Sequence, residues 1–377
     1  MRTFVGNGKQ ALALVARALR AAGVGTVLAP RYRCEAMALP FALEGMGVRS
    51  VGVGADLLLD PPALREALAR EPGAAVLHCE TYGNRCGEEL GSVLGAARRD
   101  GSVVVLDATH SAVDRLIGAA SAPGPPPEAT SGREGRRGAR RSIGWTTDRD
   151  AAWDVVVASA RKLLPVPDGA WLEWSEGSPL AAGMARVVAR LSARRPVDER
   201  ATALGVELGR AVAAMRASRG SSRERSRLDV CEIAARHEEA VETALTPAPA
   251  SARTVALLMS PRLDGLRRRA ETARRLRERL AGGVGARGLQ VVNPGSAGCV
   301  ALRAAKRGEE GAPAAPRALA DVEEALARAG MWGPVSWPDP HAGPGAPPWP
   351  IVVTAPTDEP GRVDELVGVI DAALGGG

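Results

Sequence analysis

Short apolar runs recur through the first 175 residues with long helical stretches between them: "TVLAP" (26–30), "AAVLH" (74–78), "SVVVLD" (102–107) and "DVVVAS" (154–159). Each is strand-length and apolar on both faces, so neither side can be left against water. Between them the spacing turns helical. Leu12, Val15 and Leu19 share one face, a helical stretch runs from about Glu35 to Glu44, Leu64 and Leu68 mark another, and Leu90, Val93, Leu94 and Ala97 a further one. Asp60 followed by Pro61 is a helix start, an N-cap with proline at the first helical position. Strands buried on both sides and separated by amphipathic helices require a mostly parallel sheet with helices covering both faces, an α/β architecture.

Residues 118–150 break the rhythm. Proline, glycine and arginine dominate there and no periodicity survives, so the stretch reads as a disordered surface insertion. Residues 180–245 read as helices and complete a large unit spanning 1–245. "LTPAPASA" (245–252) reads as a linker. A smaller α+β unit over 253–377 follows, with an Arg-rich helix at 262–281, a strand at "GCVALR" and a helix at 318–329 carrying Leu319, Val322 and Leu326 in register. A strand at "IVVTAP" and a last helix with Val363, Leu366, Ile370 and Leu374 close it. No internal repeat is visible.

Composition narrows the partners. The net charge of +6 comes with basic residues scattered along helices, and aromatics make up only 3%, too few to stack bases, which argues against nucleic acid. The apolar stretch after Lys9 is interrupted by Arg17 and Arg20, well short of the ~20 apolar residues of a membrane span. The five cysteines (Cys34, Cys79, Cys86, Cys231, Cys299) form no CxxC pair and no metal-ligand spacing, as expected of reduced thiols in a cytoplasmic protein.

One compositional oddity points to chemistry. Of 49 lysines and arginines only Lys9, Lys162 and Lys306 are lysine, and Lys162 directly follows an apolar strand. In open parallel sheets ligands bind beyond the carboxyl ends of the strands. Three features fall there or at a helix start: "GNGKQAL", with Gly8 and the Lys9 amide at a helix N-terminus that suits an anion; "VVVLDATHS", with Asp107 at a strand end and His110 three residues on; and "VVVASARK", with Ser159 and Lys162. An anion cradle, a carboxylate and a primary amine are what pyridoxal 5'-phosphate requires. The phosphate takes helix amides, the pyridine nitrogen takes a carboxylate, and the aldehyde takes an amine that arginine cannot replace. Each residue alone has a plainer reading. Asp107 can be a cap, His110 a hydrogen-bonded structural histidine, Lys9 a solvated cation, and Tyr32 and Tyr82 core packing.

The order "NGKQAL … DATHS … SARK … DGAWL" resembles the fold-type I pyridoxal-phosphate-dependent aminotransferases. It is most similar to the DegT/StrS-like sugar aminotransferases, with their "SGTxAL … EDAAQ/H … K … G" layout. "HCETYGNRCGEELGSVLGAARRDGSVVVLDA" is also similar to the class V aminotransferase and cysteine desulfurase pattern. The resemblance implies an aspartate aminotransferase-like large domain with a smaller C-terminal domain. It further implies a lysine Schiff base at Lys162, Asp107 against the pyridine nitrogen, and His110 at the phenolic oxygen. Gly8, Lys9 and Ser159 would then hold the phosphate. The family's ring-stacking aromatic aligns with Cys34, with Tyr32 close by as a substitute. A homodimer with a shared active site, a small-molecule amino donor and an acceptor such as a keto-sugar nucleotide or natural-product precursor are implied as well. The same apparatus supports lyase, decarboxylase, racemase or desulfurase chemistry.

Other classes fit less well. Ser159-Ala-Arg-Lys162 matches an S-x-x-K nucleophile motif, but no K-T-G partner exists. "VGVGADLLLD" lacks the third glycine of a dinucleotide fingerprint. A cofactor sensor fused to a helix-turn-helix would need a segment ahead of the first helix.

Overall fold

The computed structural model describes residues 1–121, 153–162, 164, 166–191, 199–218, 220–259, 263–281, 289–304, 315–329, 351–354 and 362–375. A seven-stranded sheet organises the larger part. Its strands are β1 (Arg2–Val5), β2 (Thr26–Pro30), β3 (Gly47–Val51), β4 (Ala75–Cys79), β5 (Val104–Asp107), β6 (Val155–Ser159) and β7 (Ala170–Trp174), in the spatial order β1-β7-β6-β5-β4-β2-β3. From β3 to β6 every pairing is parallel, and β7 runs against both its neighbours.

The apolar runs occupy the middle of this sheet because their alternating side chains feed two cores. On one face Val27, Ala29, Ala75, Leu77, Val105, Val155, Val157 and Leu172 pack under helices α1 (Gly8–Ala21), α2 (Glu35–Leu43) and α6 (Ala181–Ala189). On the other, Leu28, Val76 and Val104 meet α3 (Pro61–Arg70) and α4 (Glu88–Arg99). Leu106, Val156 and Ala158 meet α5 (Ala112–Ser121) on that same side. The start of α3 is as the sequence predicts, with Asp60 accepting from the Ala63 amide at 3.1 Å and proline in the first turn. Helix α1 is buried further round than its single apolar face implies. Its alanines are small enough for α6 to approach, and Gly183 lies against Ala18.

Helices α7 (Glu199–Ala217) and α8 (Gly220–Thr243) form a hairpin whose buried base is Ala201, Leu204, Ala240 and Val241. The stretch expected to be a linker is structural: Gly6 donates to Ala248 O, Ala250 donates to Phe4 O, and Pro249 bridges Val5, so the chain lies along the free edge of β1. Helix α9 (Ala252–Met259) then leads to α10 (Leu263–Ala281). The C-terminal unit has a three-stranded antiparallel sheet of β8 (Leu289–Val291), β9 (Cys299–Ala304) and β10 (Ile351–Thr354), in the order β10-β9-β8. Its own core joins Leu276 and Leu280 of α10 to Leu319, Val322 and Leu326 of α11 (Ala315–Arg328) and to Val363, Leu366 and Ile370 of α12 (Arg362–Gly375). Of the expected insertion, residues 118–121 complete α5; from 122 onward it lies outside the described residues. No helix among the described residues is long and apolar enough to cross a membrane.

Candidate active site

The carboxyl ends of β5 and β6, the start of α2 and the start of α1 converge on one cleft. It is lined by Gly8, Lys9, Cys34, Asp107, His110, Ser159 and Lys162, seven of the eight residues singled out from the sequence. Asn7 caps α1, its side-chain oxygen accepting from Gln10 N at 2.9 Å, while its amide nitrogen donates to Ala244 O at 3.1 Å just beyond α8. Gly8 and Lys9 therefore stand in a first helical turn, whose N–H groups have no acceptor within the helix. A Cβ on Gly8 would lie 3.5 Å from the Ser159 Cβ and fill the gap between helix end and strand end.

Asp107 closes β5, is 7% exposed, and accepts from the Thr109 amide at 2.9 Å. Burial pushes its carboxyl above the ordinary range, against the Thr109 hydrogen bonds and the nearby Lys162 charge. Thr109 also ties the two strand ends together, its hydroxyl accepting from Ser159 N at 3.0 Å. Lys162 ends the short turn Ala160–Lys162 directly after β6 and is exposed in the single chain. Its neighbour Arg161 grips Glu238 of α8 through two hydrogen bonds of 2.5 and 2.9 Å. Ser159 is the last residue of a strand, so the S-x-x-K reading lacks the helix it needs.

Cys34 is the N-cap residue of α2 and half-buried, and burial pushes its thiol up despite the Lys162 charge. Tyr32 lies elsewhere. It is buried among Leu57, Tyr82, Val292 and Ala301, with its hydroxyl 2.6 Å from that of Tyr82, and it does not line the cleft. That leaves Cys34 alone at the position expected to cover a ring. His110 lines the cleft with its Nδ1 accepting from the Tyr82 amide at 3.0 Å; burial, then the Lys162 charge, push its pKa down to about 3. Behind the loop lies a buried ion pair. Glu80, one residue past β4, accepts from Arg115 at 2.6 and 3.0 Å, from Arg85 at 3.2 Å, and from the Ser111 hydroxyl.

Sequence reasoning passed over Asn7, Thr109, Arg161 and Val241, which also line the cleft. Asn7 and Thr109 stood inside the quoted motifs and were open to discovery as cap and turn residues. Val241 carries no local signal, because it reaches the site only through the α7–α8 hairpin.

The seven-stranded sheet with β7 reversed beside β6, and the α+β unit that follows, make a fold shared with solved aminotransferases. No family model matches the chain, and no curated protein matches it. Solved structures do. A DegT DnrJ EryC1 StrS aminotransferase from Brucella abortus is similar at 16% identity, with 99% of this chain and 86% of that one covered and a TM-score of 0.54. Helicobacter pylori PseC, an aminotransferase involved in the biosynthesis of pseudoaminic acid, is similar at 11% identity, over 100% of this chain and 87% of that one, with a TM-score of 0.60. Oryza sativa TDC with PLP is similar at 16% identity, over 100% and 68%, with a TM-score of 0.56.

Proposed function

We propose that this chain is a pyridoxal-phosphate-dependent aminotransferase acting on a small biosynthetic intermediate, a keto-sugar nucleotide or a natural-product precursor. The observation that carries the reading is the meeting of a primary amine, Lys162, with a buried carboxylate, Asp107, in a cleft floored by the first turn of α1. The residues fit the cofactor: Gly8, the Lys9 amide and Ser159 would cradle its phosphate, Asp107 would accept from its ring nitrogen, and Lys162 would hold its aldehyde carbon. When bound, the cofactor supplies an electron-withdrawing ring that weakens bonds at the carbon bearing the amine. Lys162, the amine in the cleft, would be the group to move the proton that transamination shifts. Cys34, at the start of α2, would stand where an aromatic residue would cover the cofactor ring.

Fold-type I neighbours with aminotransferase names support transamination. A neighbour named as a sphingosine-1-phosphate lyase keeps lyase chemistry as the second reading. The implied assembly is a homodimer that shares the site, and the exposure of Lys162 in the single chain is compatible with it.

The test is direct. Protein incubated with pyridoxal phosphate should turn yellow, and borohydride should fix a label that peptide mass spectrometry locates on Lys162. Lys162→Arg should fold and take no label. A label on another lysine, or none, overturns the reading. An amino-donor screen against an assay for the aldehyde that carbon–carbon cleavage releases separates transamination from the lyase reading.

A further inference from the structure

The turn Thr81–Gly83 beyond β4 holds an unusual backbone. Tyr82 has φ 53°, the left-handed region, which a bulky side chain adopts only when its surroundings hold it there. What holds it is the C-terminal unit. The Asn293 side chain, fully buried, donates to Tyr82 O at 2.9 Å and to Cys299 O at 3.1 Å, while its oxygen accepts from Ala301 N at 2.8 Å. Those three bonds fix the amide's orientation. On its other side the same residue reaches the cleft. Its N–H donates to His110 Nδ1 at 3.0 Å, and its ring lies on the imidazole with centres 5.3 Å apart and planes 13° from parallel.

An imidazole nitrogen that accepts a hydrogen bond carries no proton, so a neutral His110 must carry its proton on Nε2. We propose that Tyr82 is a positioning residue: its backbone, clamped by Asn293, holds the His110 ring as the Nε2–H tautomer, so that the cleft presents a fixed hydrogen-bond donor beside the Asp107 acceptor. The C-terminal unit is linked to the site through one residue, whose carbonyl Asn293 holds and whose N–H meets His110. The titratable groups lining the cleft with His110 are Lys9, Cys34, Asp107, Arg161 and Lys162. The positive ones oppose a charge on the ring, and Tyr82 shields one of its faces. That this donor serves a cofactor oxygen rests on the functional reading above; the tautomer does not.

Ring 15N shifts of the full chain labelled in histidine, recorded from pH 5 to 9 before and after pyridoxal phosphate is added, test the proposal. His110 is assigned by its loss in His110→Gln. The expected result is an Nε2–H signature with no titration across the range. Asn293→Ala should let the Nδ1–H form appear. Tyr82→Gly suits the left-handed backbone and keeps the N–H but uncovers the ring, so it should keep the tautomer and raise the His110 midpoint by about two pH units. If Asn293→Ala does not fold, the parent and Tyr82→Gly spectra decide. An Nδ1–H or mixed signature in the parent, a folded Asn293→Ala with an unchanged one, or loss of the tautomer in Tyr82→Gly overturns the proposal. A locked tautomer in a protein that takes up no cofactor would overturn only the functional reading.

Discussion

The His78 imidazole lies flat on the Trp153 indole, ring centres 5.4 Å apart and planes 2° from parallel. His78 is wholly buried within β4, and neither ring nitrogen has a hydrogen-bond partner. Burial, opposed by Glu80 and helped by Arg115, pushes its pKa from 6.5 down to about 4. A base whose folded pKa is depressed binds its proton more readily in the unfolded chain. Stability is therefore lost as pH falls from 6.5 to about 4, by about 3 kcal/mol, and levels off below. His78→Phe keeps the stacking and removes the proton site. Urea melts at pH 7 and 4.5 should show the variant losing roughly 2 to 3 kcal/mol less than the parent.

Glu80 and Arg115 predict a complementary behaviour. Burial alone would raise the Glu80 carboxyl, but the Arg115 hydrogen bonds and charge, with Arg85 and Ser111, outweigh it and hold it below the ordinary range. A depressed acid contributes stability above its unfolded pKa of 4.5 and loses it as pH falls through the folded value. Arg115→Met strands a buried carboxylate and should cost about 3 to 5 kcal/mol at pH 7. Adding Glu80→Gln should restore much of that, measured by denaturant melts of the single and double variants.

For the site, Asp107→Asn is the sharpest change. It keeps the shape and the Thr109 contact but gives up the charge that favours a protonated ring nitrogen. Losing a charge-assisted bond of about 1.5 to 3 kcal/mol should lower turnover roughly 10- to 100-fold, with fluorescence titration showing weaker but measurable cofactor binding. Near-normal turnover would leave Asp107 as a turn residue only.

Much of this was legible in the sequence, and for one reason. Wholly apolar runs such as "SVVVLD" have no alternative to the centre of a covered sheet, and their ends locate Asp107 and Lys162. What stayed hidden depended on distant partners. β1 is four residues with only Val5 fully buried, and it becomes a strand by pairing with β7. "LTPAPASA" shows loop composition, yet it runs beside β1 because Gly6 and Phe4 offer it backbone partners. Tyr32 stands near the site in sequence, but its hydroxyl finds Tyr82 instead of the cleft. No local pattern announces a tyrosine with positive φ, since asparagine or glycine is the usual occupant.

Gly169 tests the joint between β6 and β7. It has φ +107°, its N–H donates to Gly6 O at 2.6 Å and its carbonyl accepts from Ala160 N at 2.9 Å. A Cβ there would come 2.4 Å from Thr254 Cγ2. Gly169→Ala should cost about 1 to 3 kcal/mol from backbone strain and more from the clash. Thr254→Ala in the same chain should relieve the clash and leave the strain, so thermal melts of the pair give both parts.

The pairing of β1 with β7 alone also sets an order of events. Among the described strands β1 pairs only with β7, so residues 2–5 have no strand to join until residues 170–174 have been made. The five parallel strands from β3 to β6 can assemble earlier among themselves. The strand that leads into α1 is thus paired late, by closing a long loop, and long-range closure of this kind is slow. Until then β1 is an unpaired strand edge, the kind of segment that invites wrong pairing in a nascent chain.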